Sequence, residues 1–275
     1  MAYRKNIGVA FFWCVIFMCL GTRVTSQSKQ VTYLTNSSLK LAAPIIQVDS
    51  LLFKNSALAK VLLRQDGAEL RYTLDGSEVS VGSPIYESPL ELDKTTQLRA
   101  KAFHPDYQPS ETISLTTRQI QKDLRTAEIQ IQPKPSETYS ASGAKTLIDG
   151  QKGSPNFRQG NFWLGFQASK ISVALNFEQP KEIKKVVVSV LNDQDSWIFL
   201  PQKLMVSASG KTLGSVTLDG CHEKQTKHGD FLEIAIIPDA YSELTLKIAP
   251  MEGIPEWHAG KGTTPWTFID EILIE

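Results

Sequence analysis

The chain has 275 residues, with 29 Lys and Arg, 29 Asp and Glu and three cysteines, so its formal net charge is zero. A charge this balanced argues against a nucleic-acid or anionic-membrane binder, because such proteins need a concentrated basic face. The length is enough for two domains that are each stabilised by an apolar core.

The first 26 residues have the features of a secretory signal peptide. Arg4 and Lys5 precede an apolar run over 7–21, which is shorter than the roughly 20 residues that span a bilayer. Small residues then predict cleavage after Ser26, the alternative being an uncleaved membrane anchor. We therefore expect an exported protein, secreted, periplasmic or at the cell surface, with no membrane insertion after cleavage.

Cleavage would leave 26 basic and 29 acidic residues, a net charge of −3, and a single cysteine, Cys221. One cysteine excludes an intramolecular disulfide and metal sites built on paired cysteines. Stability must therefore come from apolar packing.

Residues 27–42 are polar and unpatterned and predict a leader, and a β-sandwich is predicted over 43–118. Two segments in this sandwich alternate apolar with polar side chains, which is the period of a strand with one buried face. They are centred on Leu70, Tyr72 and Leu74, and on Leu98, Ala100 and Ala102. Asp75-Gly76 predicts a tight turn, because glycine adopts positive φ without a steric penalty.

Residues 119–138 are polar, with Pro133 and Pro135 near their end, and predict a linker whose first part forms either a strand or a short helix. A second β-domain is predicted over 139–275. Its strands are expected at 171–177, 186–190, 232–236, 244–248 and 267–274, separated by turn-rich segments. Many short strands at this spacing predict an antiparallel sandwich or barrel.

All four tryptophans that follow the signal peptide fall in the second domain, and Trp163, Trp197 and Trp257 lie beside turn signals. Aromatic side chains in loops are more often at the surface than those within strands. Trp163 and Trp266 lead directly into strands and are expected to be packing residues.

The first domain carries LRYTLDGSEVSVGSPIYESPLEL over 70–92, followed by TTQLRAKAF. This pattern resembles the chitobiase/β-hexosaminidase C-terminal domain. The resemblance implies a small immunoglobulin- or fibronectin-like sandwich, to which we assign a spacer role.

The second domain carries five motifs that together resemble the discoidin, or coagulation factor 5/8 type C, domain. They are Leu147–Gly150, Trp163–Phe166, Ser196–Pro201, Trp257-His258 and Trp266–Ile272. The resemblance is strongest to the version appended to bacterial family 20 β-hexosaminidases, and it implies a jelly roll. The predicted fold is therefore all-β, an immunoglobulin-like sandwich followed by a discoidin-type jelly-roll sandwich.

We expect no enzymatic activity. The catalytic barrel that usually precedes this pair of domains takes about 250 residues, and only a short segment separates the predicted signal from the first sandwich. Glycoside hydrolysis needs two carboxyl groups across a cleft. Asp193 and Asp195 lie in a predicted turn, whereas strand alternation is expected to send Asp270 and Glu271 to opposite faces.

The discoidin resemblance implies a structural calcium ion, for which the matching positions are Asp149 and Glu271. Calcium prefers six to eight oxygen ligands. The loop after Asp149, however, contains Lys152 where oxygen donors are usual. The alternative is that Asp149 caps a turn and Glu271 pairs with a lysine.

The main functional hypothesis is glycan binding, because an aromatic ring can stack on the apolar face of a pyranose while polar neighbours bind its hydroxyls. The resemblance places such a site at the end opposite the termini, in loops 192–199 and 255–264, joined by 156–161. The candidate ligand-binding residues are Trp197, Asp195, Trp257, His258, Asn156 and Arg158. For Trp197 a core position, and for His258 a turn cap, remain open.

The expected ligand is a glycan of the galactose or N-acetylhexosamine type. One alternative is a protein–protein adaptor that binds a surface protein. Another is the accessory part of a split or degenerate β-hexosaminidase, acting with a separate glycosidase. Sugar binding requires an exposed aromatic ring among these loops, whereas an adaptor requires a broad apolar patch.

Overall fold

The computed structural model describes residues 39–158, 161–218 and 228–275. The predicted signal peptide, most of the predicted leader and Cys221 lie outside the described residues. Within the described ranges, no helix is long and apolar enough to cross a bilayer. The described residues form strands and a few short 3-10 helices, which confirms the all-β prediction.

The first sandwich has two sheets. One contains β1 (Ile45–Val48), β3 (Ala57–Leu62) and β5 (Leu90–Leu92), and the other has the order β2-β7-β6-β4. The strands of the second sheet are β2 (Leu52–Phe53), β4 (Glu69–Thr73), β6 (Thr96–Phe103) and β7 (Ile113–Gln119). Because β3 and β6 alternate buried with more exposed residues, they bury Ala59 and Leu98 between the sheets.

Both strand predictions in the first sandwich are confirmed, since β4 pairs with β6 and Tyr72 lies opposite Ala100. The predicted turn is also present. Gly76 has φ +78°, and the Asp75 Oδ1 accepts the Ser77 N–H at 3.0 Å. The leader ends earlier than predicted, because the buried Leu41 donates its N–H to the Gln108 carbonyl.

The second sandwich contains seven strands within the described ranges. They are β8 (Glu128–Gln132), β9 (Leu164–Phe166), β10 (Ile171–Asn192), β11 (Lys203–Ala208), β12 (Lys211–Thr217), β13 (His228–Ala249) and β14 (Thr267–Ile274). Short 3-10 helices cover Glu137–Tyr139, Gly143–Ile148 and Gln194–Ser196. The strand order is β12-β11-β13-β10-β14-β9, with β8 also paired to β10.

The two long strands, β10 and β13, each belong to two layers. The first part of β10 pairs with β8 and with 244–248 of β13, whereas its last part pairs with β14 and with 228–234. Register shifts in the β10–β13 pairing mark the bend between them. The segments 171–177 and 186–190, predicted as separate strands, are therefore parts of one bent strand, and the main apolar core lies between the layers.

The predicted linker over 119–138 is largely incorporated into the two sandwiches. Strand β7 ends at Gln119, and β8 pairs with β10, with Gln130 opposite Ala174. The side chains of Ile129 and Ile131 pack against the main core. The second sandwich thus begins before Tyr139, because the prolines follow strand β8 and do not interrupt it.

The two sandwiches share a buried contact, which we call the junction. Leu52 of the first sandwich packs with Val187 and Leu273 of the second. The Arg118 side chain is 5% exposed, donates from Nη1 to Glu275 Oε1 at 3.1 Å and also pairs with Glu233. The first sandwich is therefore fixed to the second by apolar packing and by ion pairs.

Candidate functional site

Three loops meet at the end of the second sandwich that is remote from the junction; we call them the tip loops. They are 154–158, 193–198 and 250–266, the last of which leads into β14. The eight residues of β14 run from this tip to the junction, a distance of about 25 Å.

Hydrogen bonds hold the tip loops together. The Trp266 N–H donates to the Trp197 carbonyl at 2.8 Å, and Arg158 Nη2 lies 3.4 Å from the Ser196 Oγ. The structure therefore brings together the three loops in which the sequence placed its candidate residues.

Trp197 has an unusual backbone conformation for its residue type. It lies in the left-handed region, at φ 63° and ψ 26°, directly after the 3-10 helix Gln194–Ser196, and its N–H donates to the Gln194 carbonyl at 2.8 Å. Its side chain is nevertheless 42% exposed. A Cβ at Gly260 would lie 3.0 Å from Trp197 Cε2, so a glycine there allows the loop to approach the indole closely.

Trp257 is the second exposed aromatic ring at the tip, at 39%. Its ring meets that of His258 edge-on, with centroids 5.5 Å apart. The sequence left open whether Trp197 is in the core. In the structure, Trp197 and Trp257 both lie at the surface.

His258 connects two tip loops through both of its ring nitrogens. Nδ1 accepts the Gly260 N–H at 3.0 Å, so Nε2 carries the proton and donates it to the Gln194 carbonyl at 3.0 Å. The geometry thus favours the turn-capping alternative, in which His258 positions the loops and does not itself bind a ligand.

The three remaining candidates, Asp195, Asn156 and Arg158, are exposed. The Arg158 guanidinium lies 4.4 Å from the centroid of the Phe157 ring, which orients it over the loop surface. Asp195 is two residues from Trp197, and Arg158 contacts Ser196 beside it, so these two side chains offer an acceptor and donors on the loop that carries the ring.

A buried aromatic layer supports the tip loops. Trp163 is 3% exposed and packs with Phe157, Phe268 and the partly buried Trp266, which confirms the packing roles predicted for both tryptophans. Tyr139 joins this layer at 4.8 Å between its ring centroid and that of Phe268. No pattern in the sequence marks Phe157 or Tyr139 as part of this layer, whereas Phe268 falls within the motif Trp266–Ile272.

A cavity of about 290 Å³, which no sequence motif indicates, opens beside the tip. Its lining includes Tyr139, Phe157, Arg158, Asn161 and Trp163. Arg158 therefore borders both this cavity and the loop that carries Trp197.

The prediction that Asp270 and Glu271 point to opposite faces is wrong. Ser189 pairs with Glu271 and Val190 with Ile269, so Asp270 is the extra residue of a β-bulge. A bulge redirects side chains, and both carboxyl groups contact the loop 149–153. Glu271 Oε2 accepts the Gly150 N–H at 2.8 Å, and Asp270 Oδ2 accepts the Gly153 N–H at 2.5 Å.

Burial governs the ionisation of these groups. It raises the pKa of Glu271 to about 9, with a smaller contribution from the neighbouring Asp149 charge. Burial also raises the pKa of Asp270, and the Lys152 ammonium at 2.9 Å opposes that rise. Because Asp270 is completely buried, it has no access to a substrate.

The groups around Asp149 and Glu271 do not fit a calcium ion. The Gln151 N–H donates to Asp149 Oδ1 and the Gly150 N–H to Glu271 Oε2, each at 2.8 Å, so backbone donors already occupy one oxygen of each carboxyl. Calcium requires six to eight oxygen ligands. Among the described residues, no cluster of three or more His, Cys, Asp and Glu side chains is arranged to hold a metal ion.

A family model described as the chitobiase/β-hexosaminidase C-terminal domain matches residues 55–114, which confirms the resemblance of the first sandwich. No curated protein matches the chain in sequence.

Solved structures similar to this chain include three β-modules. A chitosan-binding module from a Paenibacillus sp. IK-5 chitosanase/glucanase has 10% identity and a TM-score of 0.36, covering 56% of this chain and 98% of that one. A chitobiase C-terminal domain of Bacteroides fragilis has 14% identity and a TM-score of 0.34, covering 56% and 95%. A CBM32 module of Clostridium perfringens, solved with GalNAc-β-1,3-galactose, has 13% identity and a TM-score of 0.36, covering 55% and 96%. Likeness at this level says nothing about the ligand of this chain.

Proposed function

We propose that this chain is an exported, non-catalytic carbohydrate-binding protein, whose tip loops hold a glycan of the galactose or N-acetylhexosamine type. The observation that carries the proposal is Trp197, an exposed indole on a left-handed backbone.

Trp197 has two unfavourable properties that core packing does not explain. A left-handed conformation costs an L-residue about 1–2 kcal/mol, and glycine would adopt it without that penalty. The ring also leaves much of its apolar surface in water. Backbone outliers of this kind concentrate at binding sites, so a function of the ring itself accounts for both properties.

The surroundings of Trp197 suit a sugar. Trp257 offers a second exposed ring on an adjoining loop, and the exposed Asp195, Asn156 and Arg158 offer hydrogen-bonding groups. An apolar platform with a few polar groups is the chemistry that recognises a pyranose. The charged neighbours Glu256 and Lys261, joined at 3.2 Å, interrupt the apolar surface and make a broad protein-binding patch less suitable here.

An adaptor role is the second candidate, and one observation favours it. On the outer face of the first sandwich, Ile45 and Leu62 lie opposite each other and are 58% and 42% exposed. Such a pair could contribute to a protein contact without involving the tip.

The proposal is tested on a glycan array, followed by calorimetry with the best ligand. We expect Trp197→Ala and Trp257→Ala each to weaken binding about tenfold or more, because central aromatic residues carry most of the energy of small interfaces. Val81→Ala, at a 70% exposed apolar site in the first sandwich, is the matched control and should bind like wild type.

Folded protein that binds no glycan would exclude the proposal, and capture of a surface protein through Ile45 and Leu62 would then favour the adaptor. Gain of hexosaminidase activity on mixing with a separate catalytic barrel would favour the split enzyme. Export is tested separately, since amino-terminal sequencing of protein recovered outside the cytoplasm should begin at Gln27.

A further inference from the structure

Buried carboxyl groups cluster around the loop 149–153. It contacts three carboxyl groups, those of Asp149, Asp270 and Glu271, of which Asp270 is fully buried and Glu271 is 2% exposed. Buried carboxylates are strongly destabilising unless hydrogen bonds and an opposite charge compensate them. Something in the structure must therefore provide that compensation.

The backbone of the loop provides part of it. The N–H groups of Gly150, Gln151 and Gly153 donate to Glu271, Asp149 and Asp270 at 2.8, 2.8 and 2.5 Å. A divalent cation placed among these oxygens would face N–H dipoles that present their positive ends to it. The loop thus presents N–H donors to these carboxyl oxygens, and a cation would have to displace those hydrogen bonds.

Lys152 provides the positive charge. Its Nζ lies 2.9 Å from Asp270 Oδ2, and its side chain is 6% exposed. The same nitrogen lies 4.4 Å from the centroid of the Trp163 ring and 5.7 Å from that of Phe231. A carboxylate and two aromatic faces form a surrounding that favours an ammonium group.

The neighbouring residues fix this cage in place. The Trp163 Nε1–H donates to the Ser154 carbonyl at 2.9 Å, which holds the indole beneath the ammonium. At Gly153, a Cβ would lie 2.5 Å from Trp163 Nε1 and 3.1 Å from Asp270 Oδ2. Only a glycine therefore lets the chain pass between the ring and the carboxylate.

We propose that the Lys152 ammonium is a built-in counter-cation for Asp270, beside the position at which a divalent metal ion is expected, and that the second sandwich is stable without such an ion. The ion pair between Lys152 and Asp270 joins the loop 149–153 to β14, the last strand of the second sandwich. The cage around Asp270 is specific for an ammonium group, and calcium does not replace it.

The test measures thermal unfolding of the full chain with EDTA, with calcium chloride and with neither. We expect the same Tm in all three conditions, and no heat of calcium binding in calorimetry. A Tm that rises with calcium and falls with EDTA would overturn the proposal, most directly if Glu271→Gln abolished the effect.

Variants at Lys152 test the cage itself. Lys152→Met retains most of the side-chain volume but removes the charge, so we expect a clearly lower Tm, whereas Lys261→Met, at an exposed lysine, should leave the Tm unchanged. In Lys152→Ala, propylammonium chloride should restore part of the lost Tm, and calcium should not. Restoration by calcium, or an unchanged Tm in Lys152→Met, would contradict the proposal. If the variants fail to fold, the wild-type measurement still decides.

Discussion

Replacing Trp197 by glycine and by alanine separates its backbone from its side chain. Both variants remove the ring, so both lose the same packing of a side chain that is 42% exposed. They differ in the backbone, which at φ 63° strains alanine but not glycine.

The size of the difference follows from two opposing effects. Alanine in the left-handed region costs about 1–2 kcal/mol relative to its preferred conformations. Glycine loses about 0.4–1 kcal/mol because its unfolded chain has more conformations. Trp197→Gly should therefore be more stable than Trp197→Ala by roughly 0.5–1 kcal/mol, which corresponds to about 2 °C in Tm for a domain of this size.

The assay combines urea unfolding of both variants with glycan calorimetry. We expect the glycine variant to be the more stable of the two and both to lose glycan affinity to the same extent. An alanine variant as stable as the glycine variant would refute the left-handed assignment. A glycine variant that binds glycan normally would refute the role of the ring.

Three further predictions concern the junction, the tip and the buried acid. Arg118→Met removes the guanidinium from the junction carboxylates, which still pair with Lys185, so it should destabilise the chain by about 1.5 kcal/mol and divide one calorimetric unfolding transition into two. His258→Ala should weaken glycan binding with an unchanged circular dichroism spectrum. That substitution removes the hydrogen bonds of the ring to Gln194 and Gly260, which hold two of the tip loops in place. In the folded state the pKa of Glu271 is raised from 4.5 to about 9, so Glu271 keeps its proton over a pH range in which the unfolded chain has lost it. The free energy of unfolding should therefore fall as the pH rises from 4.5 to about 9. In Glu271→Gln, that decline in a pH series of urea unfolding should be shallower.

Each of these expectations has a contradicting result. Two transitions in the wild type would show that the junction does not couple the sandwiches. A His258→Ala variant that binds glycan like wild type would show that His258 does not position the tip loops. A Glu271→Gln variant with the same pH dependence as wild type would show that Glu271 is ionised in the folded state at neutral pH.

The fold could largely be predicted because its strands alternate apolar and polar side chains. The alternation around Tyr72 and Ala100 predicted both strands, and in β6 it also predicted the buried face. In β4 no residue is fully buried, and Leu74 lies beyond the strand and is 41% exposed. The strand containing Ile129 and Ile131 was missed because the prolines after it suggested a linker. A two-residue alternation is short, and only its pairing with β10 distinguishes it from an extended linker.

The site could be predicted in outline, because loop tryptophans beside turn signals indicated where rings reach the surface. The left-handed backbone of Trp197 could not be foreseen, since it depends on hydrogen bonds to Gln194 and Trp266 that form only after folding. The alternation rule failed at Asp270 because a bulge has no clear sequence signal. Lys152, which weakened the case for calcium, proves to be the buried partner of that aspartate.

The junction has a consequence for how the tip meets its target. Because Leu52 and Arg118 fix the first sandwich to the second, we expect the two sandwiches to keep one relative orientation. A scaffold that binds the first sandwich would therefore also fix the direction in which the tip loops face. Several copies on one scaffold would present their tip loops in the same direction, so they would lose little orientational freedom on binding a repetitive glycan. Weak individual binding events would then combine into a high overall avidity.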